Sequence, residues 1–364
     1  MANATLKLSQ IIENTVLGQT IILAGELGIF KALSEYGADG RLVTSEMIAK
    51  RYGYKQRYVQ EMLSCLACGD ILEVNVTGDG FRLNRNMNDY LTAQRSPHIL
   101  EILKMVIRFP YIFEDMKRVF QKTGPSGISY QRYKNTHLCT GSFTGTKYKN
   151  QMISCFLPLT GLSERLKTEG LRVLNVACGS AQQLIELVTA KNFPLSKFVG
   201  VDGNLDSIKA AKDYQLKQGV TNIEFLVIAP ADLPTGWTRT YDWVTMFESC
   251  HNLTRPDRCL NAIRRVLKRE GTLTIVDANG MSNPYLDKIW HRTNATIGYG
   301  ISLFHCLPIG SNAEDAYCLG TMWGQKRACD LLKKCGFEDV KVSPISFADA
   351  EILYVCKKTK PEPN

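Results

Sequence analysis

The sequence predicts an α/β protein: a doubly wound, mostly parallel sheet in the C-terminal half, preceded by a mostly helical region. Three observations carry this reading. From Leu171 onward, short apolar runs alternate with amphipathic segments of helical period, the pattern of a parallel sheet covered by helices. The first run, Val173 to Ala181 (VLNVACGSA), ends in a turn of small residues, as a buried strand does when it bends beneath a ligand. Ahead of residue 97 the elements run helix, helix, helix, hairpin.

With 364 residues and 45% hydrophobic content, the chain can bury a large core and form two units. The N-terminus MANATLKLSQ lacks a basic stretch followed by an apolar core, and no apolar run approaches the roughly 18 residues that span a bilayer. The expected address is the cytoplasm, with no membrane partner. Twelve cysteines are scattered through core-like segments and read as reduced, buried small hydrophobes. Cys65 and Cys68 form a C-x-x-C with no second Cys or His pair nearby, so no metal is expected. Of the net charge of +9, residues 1–150 carry +6, an excess too mild to choose among nucleic acid, an acidic membrane and an anionic substrate.

Residues 5–36 place Ile11, Ile12, Leu17, Ile21, Leu23 and Leu27 at helical spacing, a stripe long enough to ask for a partner helix. Thr44 or Ser45 then caps a short helix that Gly53 stops, and a second helix ends at Gly69. ILEVNVTGDGFRLN reads as a hairpin turning through Thr77-Gly78-Asp79-Gly80, which completes a winged-helix order. The expected division is therefore a winged-helix unit over 1–96, a helical connector over 97–168 and the sheet domain over 169–364. Within the last, strands are expected at LRVLNVA, KFVGVD, IEFLVI, YDWVTMF, TLTIVDA, VKVSPIS and EILYVCK. The short connection between the last two suggests an antiparallel hairpin at one edge.

In such a sheet the first strand's turn cradles a cofactor, and an acid about 20 residues on receives ribose hydroxyls. Asp202, at the end of FVGVDGN, is that acid. The turn, the acid and the order of seven strands together resemble the class I S-adenosylmethionine-dependent methyltransferases, specifically the small-molecule type with an N-terminal winged-helix domain. LAGELGIFKALSEYG and RYVQEMLSCLACGDILEV resemble that family's dimerisation and winged-helix segments. YDWVTMFESCHNLTRPDRCLNAIRRVLKREGTLTIVDA, LLKKCGFEDVKV and the cap-like LFHCLPIGSNAEDAYCLGTMWGQKRA extend the resemblance over nearly the whole chain.

The resemblance implies a Rossmann-like sheet of seven strands with an antiparallel last strand, S-adenosyl-L-methionine as cofactor, a small-molecule acceptor and a homodimer. It places Asn175, Ala177, Cys178, Gly179, Asp202, Gly203, Ala229 and Phe247 at the cofactor. Asn175 and Ala229 stand where family members usually carry acids, and Ala177 and Ala181 where they carry glycines. The exchanges at 177 and 181 matter where the backbone needs a positive φ; Asp232 lies close enough to 229 to compensate in part for the acid missing there. His251, just past the fourth strand, matches the family's general base, although the Asp that follows it there is Asn252 here.

Glu248, His305 and Trp323 are the implied acceptor-side residues; read alone, each has a structural role as a solvated acid, a satisfied loop histidine or a packing anchor. Cys306 reads as a buried thiol. Tyr130, Tyr133 and Tyr148, with Arg132, Lys147 and Lys149, suit either a lid or a solvated linker. The competing function is a ligand-binding or regulatory module built on a degenerate methyltransferase. DNA recognition through Lys55, Arg57, Gln60, Arg82 and Arg85 is disfavoured, because Tyr58, Met62 and Leu66 share a stripe on the same helix.

Overall fold

A computed structural model describes residues 2–92, 97–133, 147–191 and 193–358. The chain divides into two compact units, Met1–Arg108 and Phe109–Asn364. The division falls within the stretch expected as a connector, so the helix Pro97–Val106 belongs to the first unit.

In the first unit the N-terminal stripe is two helices, α1 (Ala2–Glu26) and α2 (Ile29–Tyr36), separated at Gly28, whose φ of 73° only glycine adopts without strain. Thr44 accepts a hydrogen bond from the Met47 amide at 3.3 Å and so caps α3 (Ser45–Tyr52), and Gly53 closes it in the left-handed conformation. After α4 (Gln56–Cys68) comes the hairpin β2 (Leu72–Val74) and β3 (Gly80–Leu83). A two-residue strand that the sequence pattern did not reveal, β1 (Val43–Thr44), joins β3 antiparallel. Phe30, Leu33, Ile48, Leu63, Leu66 and Phe81 form the core, with Leu17 and Ile21 of α1 packed on it. Leu6, Leu8, Ile11, Ile12 and Val16 of the same helix stay exposed.

The second unit is built on a seven-stranded sheet of order β6-β5-β4-β7-β8-β10-β9. Its strands are β4 (Arg172–Val176), β5 (Lys197–Asp202), β6 (Ile223–Val227), β7 (Tyr241–Phe247), β8 (Leu267–Ala278), β9 (Phe337–Pro344) and β10 (Glu351–Lys358). The first five pair in parallel; β10 lies antiparallel between β8 and β9. Successive residues point to opposite faces, so Val173 and Trp243 enter one core layer while Leu174 and Val244 enter the other. Burial on both faces explains the continuous apolar runs. β8 starts five residues earlier than TLTIVDA suggests, because buried Leu267 already pairs with Tyr241 ahead of a register shift. Among the described residues no single helix is long and apolar enough to cross a membrane.

β4 lies between β5 and β7, with Asn175 in register with Gly200 on one side and Thr245 on the other. The chain leaves β4 through a turn in which Ala177, Gly179 and Ala181 all have positive φ, at 52°, 56° and 53°. The left-handed conformation costs an L-residue about 1–2 kcal/mol, so the two alanines hold a backbone shaped for glycine. Ala177→Gly and Ala181→Gly are each expected to raise the unfolding free energy by about 1 kcal/mol or less, the relief of strain being offset in part by glycine's greater chain entropy. Urea unfolding of the single variants measures this, and a loss of stability in both would show that the alanines carry no strain.

Candidate active site

The cradle is formed where β4, β5, β6 and β7 end side by side. Asp202, at the end of β5, accepts hydrogen bonds from the Gly179 amide at 2.9 Å and the Asn204 amide at 2.8 Å, which fixes its carboxylate beneath the turn. A Cβ on Gly179 would meet no atom within 4 Å, so the turn faces open space, whereas one on Gly203 would lie 3.5 Å from Ala229, where the ends of β5 and β6 approach. Cys178 is buried, its amide bonded to the Val201 carbonyl at 2.9 Å. Asn175 is also buried, and its amide nitrogen donates to the Thr245 carbonyl at 3.1 Å. A carboxylate at 175 could not make that bond.

The residues fit a polar ligand. The Ser180 and Thr245 hydroxyls are buried without a hydrogen-bond partner among the described residues, one in the turn and one on β7. Such orphaned groups each carry a desolvation cost of about 1–3 kcal/mol, which a ligand with its own donors and acceptors would remove. Phe247 forms a wall, with its ring 5.4 Å from Tyr148 and 5.3 Å from Phe156.

His251 lies on a single helical turn, Cys250–Asn252, just past β7, and is 4% exposed. Its Nδ1 donates to Asp277 Oδ1 at 2.5 Å. Asp277, fully buried at the carboxyl end of β8, also accepts from the Ala278 amide at 2.8 Å. The Cys306 thiol lies within electrostatic reach of the imidazole. Burial disfavours the charged ring, but the Asp277 carboxylate and Cys306 outweigh it and hold the imidazole well above its ordinary value. For Cys306 burial likewise works against the charged form; the opposing pull of His251, helped by His305, prevails and brings the thiol down to about 6.

Cys306 and His305 come from a π-helical turn, Ser302–Cys306, in which the Leu307 amide reaches back to the Ser302 carbonyl. His305 Nδ1 is 3.5 Å from Cys306 Sγ, and its ring meets Tyr133 edge-on at 5.0 Å and Tyr130 at 6.5 Å. Tyr133 donates to the Phe304 carbonyl at 3.0 Å. Tyr130 in turn lies within electrostatic reach of both Asp202 and Cys306. A line of neighbouring side chains, linked in part by ring contacts and in part by charge alone, runs from Asp202 past Tyr130, His305 and Cys306 to His251 and Asp277. Of the residues expected to form a lid, Tyr130 and Tyr133 belong to this line, and Arg132 is an exposed partner of Asp115 at 2.7 Å.

Glu248 does not touch the imidazole. It sits at a strained φ of 45°, anchored by its amide to the Val276 carbonyl, and its carboxylate faces the buried Lys147 at 3.6 Å. Lys147 also pairs with Glu351, which accepts from the Tyr148 hydroxyl at 2.7 Å. Lys149 is exposed. Trp323 lies in a core layer with Met246, Cys250 and Leu260, 2% exposed. Ala229 and Asp232 are exposed on the turn after β6, where the Asp232 amide donates to the Ala229 carbonyl at 2.9 Å. Beside the end of β8 a cleft of about 650 Å³ is lined by residues including Asn279, Trp290, His291, Arg292 and Glu351.

Sequence reasoning missed Asp277 as the partner of His251. The signal was present: TIVDA ends an apolar strand in an acid just as FVGVD does, but its neighbour is set by strand order. It also passed over Cys306 as a plain buried thiol.

Residues 167–324 match the family described as "Methyltransferase domain". A ubiquinone/menaquinone biosynthesis C-methyltransferase, UbiE, of Ectopseudomonas mendocina is 29% identical over 122 residues. That match spans 33% of this chain and about half, 47%, of the relative. Among solved structures the chain resembles the mitomycin 7-O-methyltransferase MmcR at a TM-score of 0.70 and 14% identity, covering 98% of each chain. Human N-acetylserotonin methyltransferase, solved in complex with S-adenosylmethionine, gives 0.66 and 17%, again over 98% of each. An O-methyltransferase family protein of Burkholderia thailandensis gives 0.68 and 14%, over 100% of this chain and 99% of the other. Residues 167–324 thus match a methyltransferase domain, and the seven-stranded sheet with its antiparallel strand has the fold of these solved methyltransferases.

Proposed function

We propose that the protein methylates a hydroxyl or thiol of a small-molecule acceptor, with His251 as general base. The observation that carries this reading is the buried Asp277–His251 contact at 2.5 Å, at the carboxyl ends of β7 and β8. S-adenosylmethionine, bound in the cradle, supplies a methyl group made electrophilic by its sulfonium. Gly179, Asp202 and Gly203, with the Ser180 and Thr245 hydroxyls, are the residues that would hold it, and Phe247 would wall it. The chain's own task is then to position the acceptor and take its proton.

With Nδ1–H committed to Asp277, the imidazole is fixed in one tautomer and keeps Nε2 for the acceptor, and the carboxylate stabilises the imidazolium that forms. The name of one structural neighbour, mitomycin 7-O-methyltransferase, and the cleft of about 650 Å³ support an acceptor of drug-like size. We further read the first unit as a winged helix that serves as a dimerisation module, supported by the exposed apolar residues of α1, and the protein as cytoplasmic.

Calorimetric titration with S-adenosylmethionine is expected to give saturable heat that the Asp202→Ala variant loses. No heat up to millimolar cofactor would favour a degenerate, ligand-binding module instead. With an active acceptor, His251→Ala should lower turnover by about 10²–10⁴ while cofactor binding persists; an unchanged rate at saturating acceptor would sink the assignment.

A base works only when deprotonated. Because His251 is raised above its ordinary value, the rate should climb with pH through an inflection above the ordinary imidazole value of about 6.5. Asp277→Asn should lower both the rate and that inflection, and an inflection that stays put would remove Asp277 from the role.

Sedimentation equilibrium should show a dimer that Ile12→Asp weakens. A monomer at micromolar concentration would assign the α1 stripe elsewhere.

A further inference from the structure

The cleft beside the end of β8 has an acid in its floor. Of the residues that line it, Ile345 and Glu351 are each 1% exposed, whereas Trp290, Arg292 and Asp349 are exposed at the rim. Glu351 is in register with Ala278, the residue after Asp277, so the cleft opens beside the strand end that carries the partner of His251. Its carboxylate is held in place by two side chains: the Tyr148 hydroxyl donates to Oε2 at 2.7 Å, and Lys147 pairs with Oε1. Tyr148 is itself wedged edge-on against Phe156, Phe247 and Phe347, with ring centroids 5.6, 5.4 and 5.3 Å away.

Charge around that floor does not balance. Lys147 faces two carboxylates, Glu351 and, at 3.6 Å, Glu248, so the buried group has two acids to one base. Glu351 Oε1 meets Lys147 as an ion pair and accepts no hydrogen bond among the described residues. Negative charge held out of water without a matching cation is costly, and a positive group entering the cleft would reduce that cost. At the rim Arg292 and Asp349 are of opposite sign, which leaves the floor to decide which charge the cleft prefers. The remaining contacts it offers there are apolar, from Ile345 below and the Trp290 indole above.

We propose that this cleft binds a small organic amine in its protonated form, with the ammonium seated against Glu351 and the apolar body between Ile345 and Trp290. Glu351 supplies a charge-assisted hydrogen bond, and the indole offers a flat face suited to a ring or to a cation. The nitrogen is a handle and not the atom that changes, because an ammonium has no lone pair with which to attack a sulfonium methyl. Where the bound molecule is the acceptor, its hydroxyl or thiol takes the methyl group and its nitrogen fixes its place. That role rests on the methyl-transfer reading; binding of the amine does not.

The test is calorimetric titration of the full-length protein near neutral pH with phenethylamine, 2-phenylethanol and 3-phenylpropanoate, which present one aromatic body with a positive, a neutral and a negative end. Phenethylamine is expected to bind saturably and about tenfold or more tighter than 2-phenylethanol, the range of one charge-assisted hydrogen bond, with 3-phenylpropanoate weakest. An alcohol or carboxylate that binds as tightly as the amine, or no saturable amine heat up to millimolar concentration, would overturn the proposal. This comparison needs no substitution, so it stands whether or not a variant in the buried cluster folds.

Two variants then locate the site. Glu351→Gln keeps the shape of the floor and removes its charge, and should bring the amine's affinity down to that of the alcohol while leaving the alcohol's unchanged. Trp290→Ala alters an exposed side chain, so the fold persists, and should weaken the amine severalfold; an unchanged affinity would place the amine elsewhere and overturn the assignment. None of these titrations contains S-adenosylmethionine. Cofactor heat without amine binding would sink this proposal alone, and amine binding without cofactor heat would sink the methyl-transfer reading alone.

Discussion

The candidate site depends on one constraint, the parallel pairing of β4 with β5 on one edge and β7 on the other. Strand order reverses there, so the chain departs in opposite directions from adjacent strand ends and leaves a crevice between the connections. The register puts Asn175 level with Gly200 and Thr245, and the turn after β4 then emerges beside Asp202. The Gly179 amide closes that contact at 2.9 Å. Parallel pairing on the next strand brings Phe247 level with Val276, one residue before Asp277. His251 and Asp277, 26 residues apart in sequence, meet because β7 and β8 are neighbours that end together.

Electrostatics on the acceptor side follows from the same packing. Water is excluded from around Asp277, His251 and Cys306, and in a low-dielectric setting interactions between charges gain strength while isolated charges become costly. A buried carboxylate is tolerable there when a cationic or proton-sharing partner is adjacent, and the imidazole is that partner. The same argument applies to the buried Lys147 between Glu248 and Glu351, where burial lowers the amine's hold on its proton while neighbouring acids oppose the loss. These are two separate charge clusters.

What the sequence discloses depends on whether a feature is local. Alternation of apolar runs, the Thr44 cap, the acid at the end of FVGVD and the small-residue turn each lie within a few residues, and each appears in the structure as read. β1 was invisible because two residues carry no periodicity; they become a strand only through β3. The start of β8 was misplaced because Leu267 is a strand residue by virtue of Tyr241. The division of labour at the site was less legible still. Glu248 is close to His251 in sequence and faces Lys147 in space, whereas Asp277 is distant in sequence and in contact. Cys306 looked like any buried thiol until its neighbours were known. Sequence proximity nominates partners; strand order selects them.

The alanines at 177 and 181 bear on whether the cradle is a working site or a relic. Both stay left-handed, with the glycine between them, although each could shed about 1–2 kcal/mol by relaxing to an ordinary conformation. The surroundings forbid it. Relaxation would rotate the Cys178 and Gly179 amides away from the Val201 carbonyl and the Asp202 carboxylate, breaking bonds at 2.9 Å that join the turn to β5. Strain of this kind persists only where the fold over-determines the conformation. The glycine-like path is therefore imposed by the sheet. Loss of glycine alters the cost of the cradle and leaves its shape, and Asp202, the acid in the expected place, is held in position by that shape.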